Sequence, residues 1–310
     1  MSSRGKRVIR RAARIAKVAG IATATCALAA ACSSANGPSP SSQTPTATAG
    51  VTVSSIAALV PAAVRDKGTL TIATDASYAP DEFIANDGTT IIGMDVDLAY
   101  AVATVLGLKI HFVNVNSDAI ISGIQSGKYD MSFGSWTDTK AREKQVDFVT
   151  YFTAGTSFMI RLGSGVAVNT RADLCGKTVS VEDATTELSD AQAQNTVCAQ
   201  NGKPAVQILS FPDQTSADHA LADGRAQVGM LDSPVAAYQV SQGNGEFTVV
   251  GQTYGEAPYG VEIPKGNGMA RAMQAAIQEI MTDGTYHQVL DMWGETSGAI
   301  RESVIDGATS

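Results

Sequence analysis

The fold class follows from three consecutive segments, TLTIATD (Thr69–Asp75), DVDLAYAVATVLG (Asp95–Gly107) and IHFVNV (Ile110–Val115). The first and third segments are short and rich in β-branched residues, which is typical of buried strands. The middle segment places apolar residues at helical spacing and ends at Gly107, a glycine typical of a helix end. A strand, a helix and a second strand in succession predict α/β layers.

The same alternation continues through residues 64–310, without a tandem repeat. Further strands are predicted in Tyr129–Ser135, Gly176–Val181, Val206–Phe211 and Gln227–Asp232, and a further helix in Ala119–Gly127. The last 45 residues are expected to form amphipathic helix, notably Met269–Gly284. The pattern therefore predicts an α/β fold with more than one layered unit.

The composition excludes several classes of protein. The chain has 310 residues, is 44% hydrophobic, and carries 22 Lys and Arg against 30 Asp and Glu. This length and composition exclude a disordered chain, a small disulfide scaffold and a polytopic membrane protein. Residues 1–31 carry seven basic side chains and no acidic one, so the rest of the chain is strongly acidic. Nucleic acid is therefore not expected as a partner, because its phosphates would repel the acidic part of the chain after residue 31.

Residues 1–31 are interpreted as a signal peptide. A basic region precedes the apolar run Val18–Ala31, whose 14 residues would span only about 21 Å of a bilayer core of about 30 Å. The run ends in Leu28-Ala29-Ala30-Ala31-Cys32, which resembles the lipobox of bacterial lipoproteins and implies acylation of Cys32. Plain secretion after cleavage near Ala31 is the alternative, and Arg10-Arg11 leaves a twin-arginine signal as a further one.

The next segment is predicted to be a tether. Residues Ser33–Gly50 are rich in Ser, Thr, Pro and Ala and carry no charge, so they offer nothing for a core. We expect residues 32–63 to form a lipid-anchored flexible tether that holds the protein at the outer face of the cytoplasmic membrane.

Two cysteines remain for the body of the protein. Cys26 would leave with the signal peptide and Cys32 would carry the lipid, so Cys175 and Cys198 are left as a pair. In an oxidising compartment such a pair predicts a disulfide. Two cysteines and scattered histidines make a poor zinc site, so neither a metal nor a cofactor is expected.

Several motifs in series resemble one family. They are GTLTIATDASYAP (Gly68–Pro80), IIGMDVDLAYAVATVLG (Ile91–Gly107), SGKYD (Ser126–Asp130), SWTDTKAREKQVDF (Ser135–Phe148), GKTVSVEDATTE (Gly176–Glu187), LADGRAQVGMLDSP (Leu221–Pro234), YGVEIPKGN (Tyr259–Asn267) and DGTY with a later Trp (Asp283–Trp293). Together they resemble the polar-amino-acid-binding (family 3) substrate-binding proteins of bacterial ABC importers.

The resemblance implies a periplasmic-binding-protein-like α/β fold in which two lobes are joined by two hinge strands and close on a ligand. Lobe I would comprise residues 64–154 plus 257–310, and lobe II residues 155–256. The hinges would lie near Ala154–Ser157 and Tyr254–Pro258.

The resemblance also implies how the ligand's charged groups are bound. Arg142 matches the arginine that clamps the ligand carboxylate, and Asp232 matches the aspartate that accepts from the ligand ammonium. Thr185 and Thr186 match a pair at a helix start, where free N–H groups favour a carboxylate. The alternatives are a solvated surface arginine for Arg142, a helix N-cap for Asp232, and simple capping for the two threonines.

Five further residues complete the implied site. Ser135 and Thr137 match positions that bond to the ligand, while Asp75 and Tyr78 match positions at its side chain or amino end. Tyr78 could instead be an aromatic residue at the edge of the core, and Trp136 is either a pocket wall or core.

The chain departs from the family pattern at three places. Ala184 stands where a glycine is usual, and Glu182 and Asp183 before it would weaken anion binding at that helix end. Ser117 replaces an aromatic residue, so a two-sided aromatic sandwich of the ligand is not expected. Lys140 replaces a proline.

The resemblance implies a non-enzymatic, monomeric receptor that binds a polar amino acid and delivers it to an ABC permease in the membrane. Asp75 and Asp232, set against one arginine, favour a cationic or amide-bearing side chain over a dicarboxylic one. The alternatives are a sensory module for a signalling partner and a cyclic-acid dehydratase on the same fold. The dehydratase would need an acid or base beyond the clamp, for which only Glu182 and Asp183 are candidates.

Overall fold

The computed structural model describes residues 52–309. The predicted signal peptide, Cys32 and the Ser33–Gly50 segment lie outside the described residues. The strands are β1 (Thr69–Thr74), β2 (Ser77–Tyr78), β3 (Glu82–Ile84), β4 (Ile91–Ile92), β5 (Lys109–Asn114), β6 (Met131–Ser132), β7 (Val146–Arg161), β8 (Thr178–Glu182), β9 (Gln207–Phe211), β10 (Val228–Asp232) and β11 (Phe247–Pro264). The helices are α1 (Ser54–Ala57), α2 (Ala62–Lys67), α3 (Met94–Leu106), α4 (Ile120–Gln125), α5 (Thr186–Gln200), α6 (Gln214–Ala222), α7 (Ser233–Gln242), α8 (Met269–Thr282) and α9 (Thr285–Trp293). Short 3-10 turns occupy Ser117–Ala119, Arg171–Leu174 and Thr296–Gly298.

Two α/β lobes share one sheet, in the order β5-β1-β6-β11-β7-β10-β8-β9. In lobe I, β1 is parallel to β5 and β6, and in lobe II, β8 is parallel to β9 and β10. A separate antiparallel sheet, β2-β3-β4, follows β1. The fold class predicted from the sequence is therefore confirmed.

The long strands β7 and β11 belong to both lobes. They pair antiparallel from Val146 opposite Pro264 to Arg161 opposite Phe247, with register shifts on either side of Tyr254. A Cβ at Gly155 would lie 2.8 Å from both the Thr253 side chain and the Tyr254 carbonyl oxygen, so only glycine fits this close crossing. The irregular pairing falls where the sequence predicts the hinges.

Each lobe has its own apolar core. The main lobe I cluster surrounds β1, α3 and α8, with Leu70, Leu98 and Ile277 almost fully buried. The lobe II cluster surrounds β8 and β10, with Val179 and Met230 at its centre. These two cores are separate, but a smaller cluster packs Tyr78 of lobe I against Leu231 and Val235 of lobe II. A change in the relative position of the lobes would therefore leave the two main cores packed and break only this contact between them.

Both ends of lobe I differ from the sequence-based expectation. The tether predicted over 32–63 ends earlier, because Val60 is buried and Val53 and Ile56 pack against the lobe I core. The last 45 residues are not helical throughout, since α9 ends at Trp293. Residues 299–309 instead run along β7 without forming a helix. The strand predicted at Tyr129–Ser135 is reduced to Met131–Ser132.

The predicted disulfide is confirmed. Cys175 and Cys198 are bonded, and both lie in lobe II, so the crosslink ties α5 to the turn before β8 without crossing the hinge. Across residues 52–309, none of the helices has the length and apolar character that spanning a bilayer requires.

Candidate functional site

The nine binding residues predicted from the sequence come together between the lobes. A cleft of about 350 Å³, part of it open to solvent, lies between the ends of the strands. Eight of the nine line it: Asp75, Tyr78, Ser135, Trp136 and Thr137 from lobe I, and Thr185, Thr186 and Asp232 from lobe II. The ninth, Arg142, lies directly behind this lining, with its guanidinium carbon 4.3 Å from the centre of the Trp136 ring.

Arg142 is held by one contact from each lobe. Its Nη1 donates to the Thr137 carbonyl oxygen at 2.8 Å, and its Nη2 donates to the Ala184 carbonyl oxygen at 2.8 Å. Burial lowers the pKa of Arg142, and the carboxylates of Glu262 and Glu187 oppose this shift. The side chain is therefore a fixed cation at the cleft and not a solvated surface arginine.

An acidic pair faces the cleft from lobe II. Asp232 ends β10 at the N-cap position of α7, but its side chain makes no capping bond to that helix. Burial, and then the charge of Glu187, raise the pKa of Asp232 well above its usual value. Glu187, which the sequence does not predict as a site residue, is buried and accepts hydrogen bonds from the Thr156 and Thr186 hydroxyls. A ligand cation beside this pair would favour the ionised form of Asp232 and could be accepted by both carboxyl groups.

The start of α5 forms part of the lobe II wall. Thr185 is the N-cap, and its Oγ1 accepts from the Leu188 N–H at 3.1 Å. The capping alternative is therefore confirmed for the Thr185 hydroxyl. Ala184 has a φ of 62°, in the left-handed region that favours glycine, which explains why a glycine is usual at this position.

A buried polar network closes the other end of the cleft. Asp75 accepts from the Ser117 N–H at 3.0 Å, and the Ser117 hydroxyl donates to Glu182 Oε1 at 2.8 Å. Tyr78 OH also donates to Glu182, so this carboxyl group joins two lobe I residues across the cleft. Burial, and then the charge of Asp75, raise the pKa of Glu182 well above its usual value.

The position of Glu182 differs from the one that the sequence predicts. Its side chain does not lie at the start of α5, where it would weaken anion binding, but contacts Tyr78 and Ser117. The alternation of β8 carried a signal for this, since Val179 and Val181 face the lobe II core and Glu182 shares the opposite face with Ser180.

Ser135 and Trp136 lie over a group of buried acids. Ser135 has a φ of 23°, and its N–H donates to Asp95 at 2.7 Å. Its hydroxyl lies 3.1 Å from a carboxyl oxygen of both Asp81 and Glu82, and its one proton is shared between them. These bonds fix a backbone conformation that a non-glycine residue rarely adopts. Trp136 is 8% exposed and belongs both to the cleft wall and to a lobe I core cluster.

The part of the chain that the structure describes contains no group of three or more His, Cys, Asp or Glu side chains arranged to hold a metal ion. What the cleft offers is one fixed guanidinium, several carboxyl groups and oriented hydroxyls between two lobes. Such a site suits a small molecule that carries both a carboxylate and a cation. Fold and cleft together define a two-lobed solute receptor.

The family model for bacterial extracellular solute-binding proteins, family 3, matches residues 70–296. The chain belongs to this family. It is 31% identical over 255 residues to the arginine-binding protein ArgT of Corynebacterium glutamicum, covering 82% of this chain and 83% of that protein. It is 27% identical to the ABC transporter glutamine-binding protein GlnH of Bacillus subtilis, with 66% and 72% covered.

Solved structures show the same two-lobed fold. An ancestral arginine-binding protein, solved in one structure with glutamine and in another with arginine, is 34% identical to this chain with a TM-score of 0.67 in each. The glutamine complex covers 74% of this chain and 98% of that protein. The arginine-, lysine-, histidine-binding protein ArtJ from Geobacillus stearothermophilus is 26% identical with a TM-score of 0.66.

Proposed function

We propose that this protein is a non-enzymatic receptor that binds a polar amino acid with a cationic or amide side chain and delivers it to an ABC-type permease. The observation that carries the ligand class is the excess of carboxyl groups at the cleft. The cleft is lined by Asp75, Glu82, Glu187 and Asp232. Glu182 contacts two of the lining residues, whereas Arg142 is the one basic side chain that the described residues place there. Relatives named for arginine and for glutamine support both side-chain types.

The α-amino acid group would be bound at the Arg142 end. The ligand carboxylate would pair with the Arg142 guanidinium and with the free N–H groups at the start of α5. The ligand ammonium would be accepted by Asp232, with Glu187 behind it. Ser135 and Thr137 would supply further hydrogen bonds from lobe I. This arrangement leaves neither ligand charge buried without a partner.

The ligand side chain would extend toward Asp75 and Glu182. A guanidinium or ammonium there would favour the ionised form of both carboxyl groups, whereas an amide could donate to them without changing their charge. A second carboxylate from glutamate or aspartate could be bound only while these carboxyl groups stay protonated, since their ionised forms would repel it. Tyr78 and Trp136 would form the apolar walls of this part of the cleft.

Closure of the lobes would convert binding into a signal for the permease. Arg142 contacts lobe II through Ala184, and Tyr78 contacts lobe II through Glu182, so the site is complete only when the lobes meet. A ligand that touches both sides favours this closed form by its difference in affinity for the two forms. We further propose that the receptor is a monomer anchored by acylated Cys32 after removal of residues 1–31.

A thermal-shift screen of the twenty amino acids and ornithine, followed by calorimetry of those that stabilise the protein, tests the ligand class. We expect arginine, lysine, ornithine or glutamine to raise the melting temperature, since ligand binding stabilises only the folded state. A protein that is stabilised only by glutamate or aspartate would overturn the charge argument.

A further inference from the structure

The C-terminal strap, which we define as residues 299–309, lies beyond the segment matched by the family model. In lobe II, one edge of β7 pairs with β10. In lobe I the strap takes that place, with Ala299 bridging to Phe152 and Ile305 bridging to Val149. The strap therefore covers backbone groups of β7 that would otherwise form an open strand edge.

The strap is seated closely on β7. Val304 accepts from the Thr150 N–H at 2.9 Å and donates to Thr150 Oγ1 at 2.8 Å, and the buried Ser303 donates to the Thr150 carbonyl oxygen at 2.7 Å. A Cβ at Gly307 would lie 2.9 Å from the Thr150 side chain. Contacts at these distances show that the strap has a fixed position on β7.

The end of the strap reaches the loop that carries Arg142. The Gly307 N–H donates to Asp138 Oδ2 at 2.8 Å, and the Ala308 N–H donates to Glu143 Oε1 at 3.0 Å. Asp138 is fully buried, and Ala308 is 8% exposed. Arg142 thus lies between the two loop residues that the strap holds.

The same loop is connected to the hinge. The Asp138 N–H donates to the Pro258 carbonyl oxygen on β11 at 2.8 Å. The preceding residue in the chain, Thr137, carries the carbonyl oxygen that accepts from Arg142. At the other end of the loop, the Val146 N–H donates to the Arg142 carbonyl oxygen at 3.1 Å. The backbone of Arg142 is therefore positioned by this loop, while its guanidinium also donates to Ala184 in lobe II.

We propose that the C-terminal strap positions Arg142 for the ligand, by holding Asp138 and Glu143 on either side of it. The inference rests on the proposed function, in which Arg142 binds the ligand carboxylate. Gly307 and Ala308 act through the loop and do not touch the ligand themselves, so they are positioning residues. Loss of the strap would leave the arginine present but less ordered, which weakens binding without removing the charge.

Four variants of the full chain test this role. A truncation after Ile305 removes the donors at Gly307 and Ala308. Asp138→Ala removes one acceptor, and Asp138→Asn keeps an oxygen that can accept from Gly307. Glu302→Ala alters an exposed strap residue and is the control. The readouts are hydrogen exchange of residues 137–146 and calorimetric affinity for L-arginine and L-glutamine, with and without Arg142→Ala.

The truncation and Asp138→Ala should speed exchange in residues 137–146 and weaken binding by about tenfold, while Asp138→Asn and Glu302→Ala bind as the wild type does. In the Arg142→Ala background the truncation should change affinity by less than about twofold, since the residue it positions is absent.

Unchanged exchange in the loop, or an equal loss of affinity in both backgrounds, would overturn the strap's role. Wild-type binding by Arg142→Ala alone would instead contradict the proposed carboxylate clamp, and loop exchange would still report on the strap. If the truncated chain does not fold, the comparison of Asp138→Ala with Asp138→Asn decides the matter.

Discussion

Arg142 makes a combination of stacking and hydrogen-bonding contacts that another side chain would not reproduce. It stacks on Trp136 and donates to one carbonyl oxygen in each lobe, which leaves further N–H groups for a ligand carboxylate. We predict that Arg142→Ala weakens amino acid binding by about 3–5 kcal/mol, because it leaves a buried ligand charge without a partner. Isothermal titration calorimetry measures the loss, with Arg271→Ala on the exposed side of α8 as the control. A loss smaller than about tenfold would count against the clamp.

Glu182 offers a residue-level test of side-chain selection. Glu182→Gln keeps groups that can bond to Tyr78 and Ser117 but cannot ionise, so it removes the negative charge that a bound guanidinium would favour on Glu182. We expect arginine binding to weaken by about tenfold, the scale of one charge-assisted hydrogen bond, while glutamine binding changes by less than about threefold.

Asp183→Asn is the matched control, since Asp183 is the neighbouring acid and makes none of the hydrogen bonds that join Glu182 to Tyr78 and Ser117. Competition calorimetry with the two ligands gives both affinities. An equal loss for arginine and glutamine would show that Glu182 supports the lobe contact without selecting the side chain.

The sequence predicts some site residues better than others. Arg142 and Asp232 stand in recognisable motifs, so their presence at the cleft could be predicted. Glu182 and Glu187 could not be assigned from spacing alone, because their partners Tyr78 and Thr156 lie on other segments of the chain. Glu182 contacts Tyr78 in the other lobe, and Glu187 contacts Thr156 on strand β7 of lobe II, so the alternation of β8 was a local sign of the side on which Glu182 lies but not of its partner.

At the scale of elements, the disulfide stabilises lobe II alone. It closes a loop of 23 residues between the turn before β8 and α5. We predict that the double variant Cys175→Ala and Cys198→Ala lowers the free energy of unfolding by about 3 kcal/mol. Alanine is preferred to serine because Cys198 is fully buried and a hydroxyl there would lack a partner.

Urea denaturation measures this effect, and calorimetry on the same variant supplies the control. Ligand affinity should stay within about twofold of the wild type, because neither cysteine lies at the cleft or the hinge. A large loss of affinity at unchanged stability would show that the crosslink positions the α5 wall of the site.

Elements with strong local signals were predictable, and those that depend on distant partners were not. The observed β1 and α3 lie within a residue or so of the predicted segments, because β-branched runs and helical spacing are local. The strap is different, since residues 299–309 belong to the last 45 residues, for which the sequence predicts amphipathic helix, and they form none. Its extended path follows from pairing with β7, about 150 residues earlier in the chain.

At the scale of the whole molecule, polar contacts between the two lobes stabilise the closed form. Two of them add to the contacts that Arg142 and Glu182 make. Asn116 Nδ2 donates to the Pro212 carbonyl oxygen at 2.8 Å, and the Gln214 N–H donates to Ser77 Oγ at 3.0 Å. Each such contact contributes little, about 1 kcal/mol. A ligand that bridges the lobes can therefore decide the balance between the open and closed forms.

Buried carboxyl groups make the stability of the whole protein depend on pH. Burial raises the pKa of Asp218 to about 7, of Glu295 to about 7 and of Glu262 to about 8, well above the ordinary values of carboxyl groups. The folded state therefore binds more protons than the unfolded state between about pH 4 and pH 8. Stability from these groups is fully present below the unfolded pKa and is lost as the pH rises through the folded pKa.

We predict that the free energy of unfolding, measured by urea denaturation, is larger near pH 5.5 than near pH 8. Glu262→Gln should reduce this difference, because both Glu262 oxygens are buried without a hydrogen-bond partner and glutamine carries no charge to bury. Glu279→Gln, on α8, is the control and should leave the slope unchanged, since it replaces a partly exposed carboxylate. A protein that gains stability across this range would show that ionising these buried acids does not destabilise the fold.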